Sequence, residues 1–440
     1  MNVYYRPLLE IFYRLEYRLW GFHAAGFHLV NLLIHMANGL LLLALLRRLQ
    51  FNQWLAFGVS LIFLIHPVQS EAVACVAGIS NLLMATFVLL TIYFYVREKY
   101  VLSLFILMGA LLTKEQVVMT PLLLILVDWY RKTLSFQHVL SGNLEVARTR
   151  SPINTFGDDR WRLWLIFAIA TLVFLWLRST ISGAHLLEDI LQFPGELRLR
   201  LLAIPRTLLM YLRLVVAPYD LHYYRNTDIL QPNVWGFIGL GLLIIGLIWF
   251  VKFKNLSDKR AIIFGGAWFV LTLLPVLNVV PLINEYSFIL TAEHFLYLPM
   301  VGVVVVIMTV IPACFKRESR TSGPPTCLPA GRLIAFGGDK ILFLVVCIIL
   351  GSLTIHQNTF WRGELPLFER MAKFEPYFGR GQLLLARAYF SNGQKDLALV
   401  HYRQALAIMQ EYERKAANDK SRRFYQGLMK TMSFELNQIH

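Results

Sequence analysis

Apolar runs separated by short polar turns dominate the chain, and a helix of about 20 apolar residues is what crosses a bilayer. They fall near residues 27–46, 54–65, 81–96, 100–112, 117–129, 162–178, 234–251, 261–277, 295–313 and 340–356. Shorter runs are read as spans meeting at tight turns, and the pattern predicts about ten crossings. Almost no polar residue interrupts the runs themselves. One further apolar segment, 201–217, would invert every later loop if it crossed, so it is read as a helix lying in the membrane interface, with Arg206 and Arg213 two turns apart on one face.

From about residue 357 the pattern becomes polar and helical in period. The stretch PYFGRGQLLLARAYFSNGQKDLALVHYRQALAIMQ reads as a tetratricopeptide unit, with small residues at Ala386, Gly393, Ala398 and Ala405 letting two antiparallel helices approach. LPLFERMAKF, ahead of Pro376, reads as the second helix of a partial repeat. A single repeat cannot bury its own faces. The tail is therefore expected to pack on the membrane domain or on a neighbour, or to be truncated. The resulting expectation is an all-α protein, a polytopic helical bundle over 1–356 followed by a helical tail over 357–440.

Composition agrees. The chain has 440 residues, 57% hydrophobic and 16% charged, with a mean hydropathy of +0.55, more apolar surface than a soluble domain can hide. The net charge of +15 sits largely in turns. Arg47-Arg48, Arg97 with Lys99, Arg131-Lys132 through Arg162, Lys252 through Arg260 and Lys316 through Arg320 fall on one side if the spans alternate, and that side is expected to be cytoplasmic. Basic stripes interleaved with aromatic residues are absent, so no nucleic-acid partner is expected. The opposite side receives HPVQSEA (66–72), the Lys114-Glu115 turn, 179–233, 278–294 and the tail. The same parity places Met1 outside although Arg6, Arg14 and Arg18 follow it and no span precedes it, so the expectation is that an upstream span has been lost or that the true start lies further upstream. Cys75, Cys314, Cys327 and Cys347 lack CxxC spacing, which argues against a disulfide framework or a zinc site.

Candidate chemistry gathers in the outer turns. His66-Pro67 ends a helix because proline disfavours helical geometry before it, and Ser70 and Glu71 can cap the next one. Lys114 and Glu115 interrupt an apolar hairpin, where isolated charges cost a few kcal/mol unless paired; a mutual salt bridge is the plain alternative to a functional role. Arg206 and Arg213 can grip a phosphate or simply snorkel. Glu293 and His294 precede a span and can cap it. Asp220, His222 and Arg225, set among Tyr219, Tyr223 and Tyr224, read as part of an aromatic belt.

In order along the chain, YRPLLEIFYRLEYRLWGFHAAGFHLVNLLIH (5–35), HPVQSEAVACVAGISNLL (66–83), LLTKEQVVMTPLLLILVDWY (111–130), TAEHFLYLPMVG (291–302) and NTFWRGELPLFERMAKFEP (358–376) lead into the repeat. Together they make the chain resemble the polytopic protein O-mannosyltransferases that join a transmembrane domain to tetratricopeptide repeats, within the GT-C glycosyltransferase superfamily. The resemblance implies transfer of a sugar, mannose or a similar hexose, from a polyprenyl-phosphate carrier to a hydroxyl, often a protein Ser or Thr, on the extracytoplasmic side. The histidines are dispersed and no acidic pair stands at ligand spacing on the outer side, so no metal and no bound cofactor are expected. The resemblance implies as partners the bilayer, the lipid-linked donor and an acceptor protein engaged through the tail. Under it, Glu71 and Glu115 are the candidate catalytic carboxylates, and Arg6, His66, Lys114, Arg206, Arg213, Glu293 and His294 the candidate substrate-binding residues.

The chain departs from the family pattern in three places. The span and acidic loop usually found upstream of YRPL are absent, Ile79 stands where Arg is common, and His294 replaces an Arg. Two rivals remain: an inactive membrane scaffold whose tail binds a protein, and a carrier of lipid-linked sugars, which would need polar residues inside the spans. The short repeat and the lack of long outer insertions favour a bacterial inner membrane over the endoplasmic reticulum.

Overall fold

The computed structural model describes residues 6–140, 160–182, 194–225, 234–253, 259–277, 291–315, 330–414 and 419–439. The architecture is all-α: no strand forms among the described residues, apart from an isolated bridge between Arg225 and Thr291. The bundle comprises α1 (Pro7–Trp20), α2 (Ala24–Arg48), α3 (Gln53–Ile65), α4 (Ser70–Ala74), α5 (Ile79–Val96), α6 (Tyr100–Leu111), α7 (Thr120–Leu140), α8 (Arg160–Ser182), α9 (Pro194–Val216), α10 (Val234–Phe253), α11 (Lys259–Leu273), α12 (Met300–Phe315) and α13 (Ala330–Thr359). The tail adds α14 (Glu364–Phe374), α15 (Gly379–Ser391), α16 (Lys395–Arg414) and α17 (Asp419–Ile439).

Each predicted apolar run falls mostly on a helix. Among the described residues, however, only five helices are long and apolar enough to cross a membrane unaided, or six if α3 and the segment Pro67–Ala74, bent by 51°, form one broken span. The runs near 117–129 and 295–313 are each broken at their first turns. Glu115–Met119 and Glu293–Leu296 are 3₁₀ turns, and the α-helices begin only at Thr120 and Met300. Hydropathy registers the whole run; backbone geometry divides it. Those breaks lie at one end of the bundle, where the functional candidates collect.

The core joins Leu42, Leu45 and Leu46 of α2 to Ala56, Val59 and Phe63 of α3, Val88, Leu89 and Ile92 of α5, and Phe264 and Trp268 of α11. The interior also holds polar residues that the apolar pattern concealed. On α2, His35 Nδ1 meets the Tyr297 hydroxyl at 2.7 Å, Asn38 donates to the Leu82 carbonyl at 3.0 Å, and Thr86 donates to Asn38 Oδ1 at 2.7 Å. The expectation of spans almost free of polar residues is thus corrected. These groups satisfy one another as interhelical hydrogen bonds.

In the tail, α15 and α16 form the expected antiparallel hairpin, with Ala386, Ala398 and Ala405 fully buried between them. Gly393 has a different role from the close contact expected of it. Its φ is +77° with nothing near its missing Cβ, so it supplies the left-handed turn residue between the helices. The tail packs on the bundle through α14 and on itself through Tyr402, Met409, Tyr425 and Met432.

Candidate functional site

The stretch LIFLIHPVQSEAVACV folds as two successive breaks. Helix α3 stops at Ile65, and His66 is extended, as a residue before proline prefers. His66 Nδ1 accepts from the Val68 amide at 3.2 Å while Nε2 donates to the Val215 carbonyl at 2.9 Å. Both ring nitrogens are occupied, so His66 is a buried brace between α3 and α9. Neither Ser70 nor Glu71 caps α4, contrary to the capping expectation. Instead the buried Glu71 carboxylate spans to a segment 223 residues away, accepting from His294 Nδ1 at 2.7 Å and from the His294 amide at 3.0 Å. The second break, Cys75–Gly78, folds back so tightly that a Cβ on Gly78 would collide with the Ala72 carbonyl. Ile79 then starts α5 and is buried against Leu9 of α1, so apolar packing occupies the position where the family pattern has Arg.

These breaks open on a cavity of about 190 Å³ lined by Arg6, Glu71, Lys114 and His294, together with Asn81, Tyr223 and Tyr224. Lys114 donates to Asn81 Oδ1, with its ammonium 5.3 Å from the centre of the Phe295 ring. It does not pair with Glu115, which removes the mutual salt bridge as an explanation. Burial, reinforced by the Arg6 charge, pulls the Lys114 ammonium down to about 7 against the pull of Glu115 and Glu71. Glu115 is gripped from two sides. Arg6 binds it through two parallel hydrogen bonds of 3.1 and 2.6 Å, and Arg178, at the end of α8, binds its Oε1. Burial pushes the Glu115 carboxyl up, but the two guanidinium groups outweigh it and hold it below the ordinary carboxylate range. A carboxylate so held is a structural counter-charge, not a free base.

The other predicted residues stand apart from the cavity. Arg206 sits where α9 crosses α10, its backbone against Gly236. Arg213 is exposed, ion-paired with Asp220 and lying 4.9 Å from the Tyr219 ring centre. Glu293 backs the cavity: it accepts from the His222 amide at 2.6 Å and from Arg225 at 2.9 Å. Burial pushes its carboxyl up to about 8 against the pull of Arg225 and with the push of Glu71. Arg178, Asn81, Tyr223 and Tyr224 were not among the predicted site residues. Arg178 and Asn81 had a readable signal, a cation and an amide at the ends of otherwise apolar runs. Of the supposed aromatic belt only Tyr219 is exposed, whereas Tyr223 and Tyr224 turn inward to the cavity.

Chemically, the cavity sets cations (Arg6 and Lys114) beside a carboxylate–imidazole pair. A carboxylate only accepts, so the Glu71 contact places the proton on His294 Nδ1 and leaves Nε2 as the ring nitrogen able to take another. Among the described residues, no group of three or more His, Cys, Asp or Glu stands close enough to hold a metal ion.

Comparison with known proteins follows the same direction. The chain is 23% identical over 421 residues to a protein O-mannosyl-transferase of Caenorhabditis elegans, covering 93% of this chain and 54% of that protein. It is 25% identical over 462 residues to the human protein O-mannosyl-transferase TMTC4, covering 90% and 57% respectively. A 95-residue stretch is 37% identical to the Drosophila melanogaster protein O-mannosyl-transferase Tmtc2, covering 21% of this chain and 10% of that one. The chain spans about half the length of the longer-matching relatives. No family model and no solved structure matches it. The resemblance read from the five segments is therefore shared with homologues that bear that family's name. These relatives are animal proteins and lend no support to a bacterial membrane.

Proposed function

We propose that this chain carries the transfer site of a membrane protein O-mannosyltransferase, using a polyprenyl-phosphate-linked mannose and a protein Ser or Thr hydroxyl. The observation that carries this reading is the cavity itself, where Lys114 and Arg6 stand beside the Glu71–His294 pair. In the proposed reaction the acceptor hydroxyl oxygen bonds to the anomeric carbon of the sugar, and the bond from that carbon to the phosphate oxygen breaks. The electron pair leaves with the carrier phosphate. Lys114 and Arg6 receive that charge, since preorganised cations act most strongly where charge develops away from water. The hydroxyl proton passes to His294 Nε2, and Glu71 fixes the ring and stabilises the imidazolium. Glu115 holds Arg6 and Arg178 in place.

Among the described residues, the basic turns at Arg47-Arg48 and at Arg97 and Lys99 join the ends of α2–α3 and α5–α6 that run away from this cavity, which supports an extracytoplasmic site, the lumen in a eukaryote or the periplasm in a bacterium. The tail is proposed to be a tetratricopeptide-like element that engages the acceptor protein. The scaffold reading draws on Ile79, whose buried apolar side chain takes the place of a cation. The carrier reading loses ground because the described polar groups inside the spans are largely bonded to one another.

Reconstituted chain supplied with polyprenyl-phosphate-linked radiolabelled mannose and a Ser/Thr-rich acceptor protein is expected to move label onto protein hydroxyls. Intact donor with no labelled protein after prolonged incubation would overturn the assignment in favour of the scaffold.

A further inference from the structure

The two tyrosines that wall the cavity have a second set of neighbours in the tail. Tyr223 meets Trp361 edge-on at 5.7 Å between ring centres and Phe368 at 6.4 Å, while Tyr224 meets Phe378 at 6.2 Å. Just before them, the Leu221 carbonyl accepts from Arg370 of α14 at 2.6 Å and from Gln357 at 3.3 Å. The His222 ring stacks on Phe374 at 4.9 Å and faces Glu375 at 3.5 Å. Arg370 is itself set between the rings of Phe360 and Phe374, at 4.0 and 5.3 Å.

The held segment is not relaxed. Tyr224 has a φ of +55°, a left-handed conformation unfavourable for a bulky residue, which persists only where its surroundings fix it. On the bundle side those surroundings are the Arg225–Thr291 bridge and the bond from the His222 amide to Glu293, the neighbour of His294. On the other side they are α14 and its flanks.

We infer that the first tail helix is a fixed part of the cavity wall, with Arg370 and Phe374 as positioning residues that hold Leu221–Tyr224 in place for transfer. The kinetic part of this inference rests on the transferase reading; the docking part does not.

Amide hydrogen exchange and transfer kinetics on the full chain in lipid nanodiscs separate the two. Arg370→Ala and Phe374→Ala are each expected to speed exchange across residues 219–225 roughly tenfold, by lowering the cost of local opening. Arg370→Lys should restore most of the protection. Arg387→Ala, which breaks an ion pair with Glu435 elsewhere in the tail, should leave 219–225 unchanged and controls for general loosening of the tail. In the same variants kcat is expected to fall roughly tenfold with little change in donor KM, because the wall is displaced while the phosphate cations stay. Unchanged exchange in both alanine variants overturns the inference. So does faster exchange with unaltered kcat. If the unsubstituted chain transfers nothing, the transferase reading fails while the exchange result still decides the docking.

Discussion

Two buried charge clusters, one at each end of the bundle, use similar residues to opposite ends. Away from the cavity, Asp128 of α7 is fully buried and completely engaged: Arg160 binds Oδ1, while the Tyr95 hydroxyl at 2.5 Å and Trp164 Nε1 at 3.0 Å bind Oδ2. That cluster ties α5, α7 and α8 together. At the cavity end, Glu71, His294 and Lys114 are also paired, yet all three line open space. Pairing that closes on itself serves stability alone; under the proposed function, pairing beside a cavity serves the transfer reaction.

Asp128→Ala breaks the closed cluster and should have the largest effect, costing about 3–5 kcal/mol because Arg160 is left buried without its partner. Thermal unfolding in detergent reads this loss, and donor KM in the surviving folded fraction should be unchanged. Glu71→Gln is expected to do the reverse, lowering kcat about a hundredfold through loss of the group that orients the proton acceptor, with the melting temperature nearly unmoved. A comparable fall in melting temperature for both variants would erase the contrast.

Lys114→Met should raise donor KM about tenfold, the worth of one charge-assisted contact. The sign of the pH effect follows from its depressed value near 7: the ammonium is present below that pH and is lost as pH rises through it. In the unsubstituted chain donor KM should therefore climb about tenfold between pH 6 and pH 8, and in Lys114→Met it should be high and flat. Smallest is Gly393→Ala, which forces alanine into the left-handed turn of the tail and should cost about 1 kcal/mol. Local hydrogen exchange at the α15–α16 turn measures it.

The helices were legible because hydropathy is a local property, written in consecutive residues. His66-Pro67, Glu71, Lys114 and Arg6 were legible as anomalies, polar residues set against apolar neighbours. Their partners were not. Glu71 meets His294 across 223 positions and Arg6 meets Glu115 across 109, and no local pattern records such pairings. His66, Arg206 and Arg213 fit the chemistry by residue type yet are held elsewhere, by Val215, by the α9–α10 crossing and by Asp220. Tyr223 and Tyr224 could not be separated from Tyr219, because the direction each ring takes depends on a left-handed backbone residue and on contacts from a tail more than 130 positions away.

The hydrogen bond between His35 and Tyr297 also has a consequence for biosynthesis. Its two partners are 262 residues apart, so at about 5–20 residues per second the ribosome delivers the second roughly 13–50 seconds after the first. Through that interval α2 lies in the membrane with its imidazole awaiting the tyrosine. Nascent chains stalled before residue 297 should therefore present α2 to chaperones or quality-control proteases, and release from that surveillance should coincide with the arrival of α12.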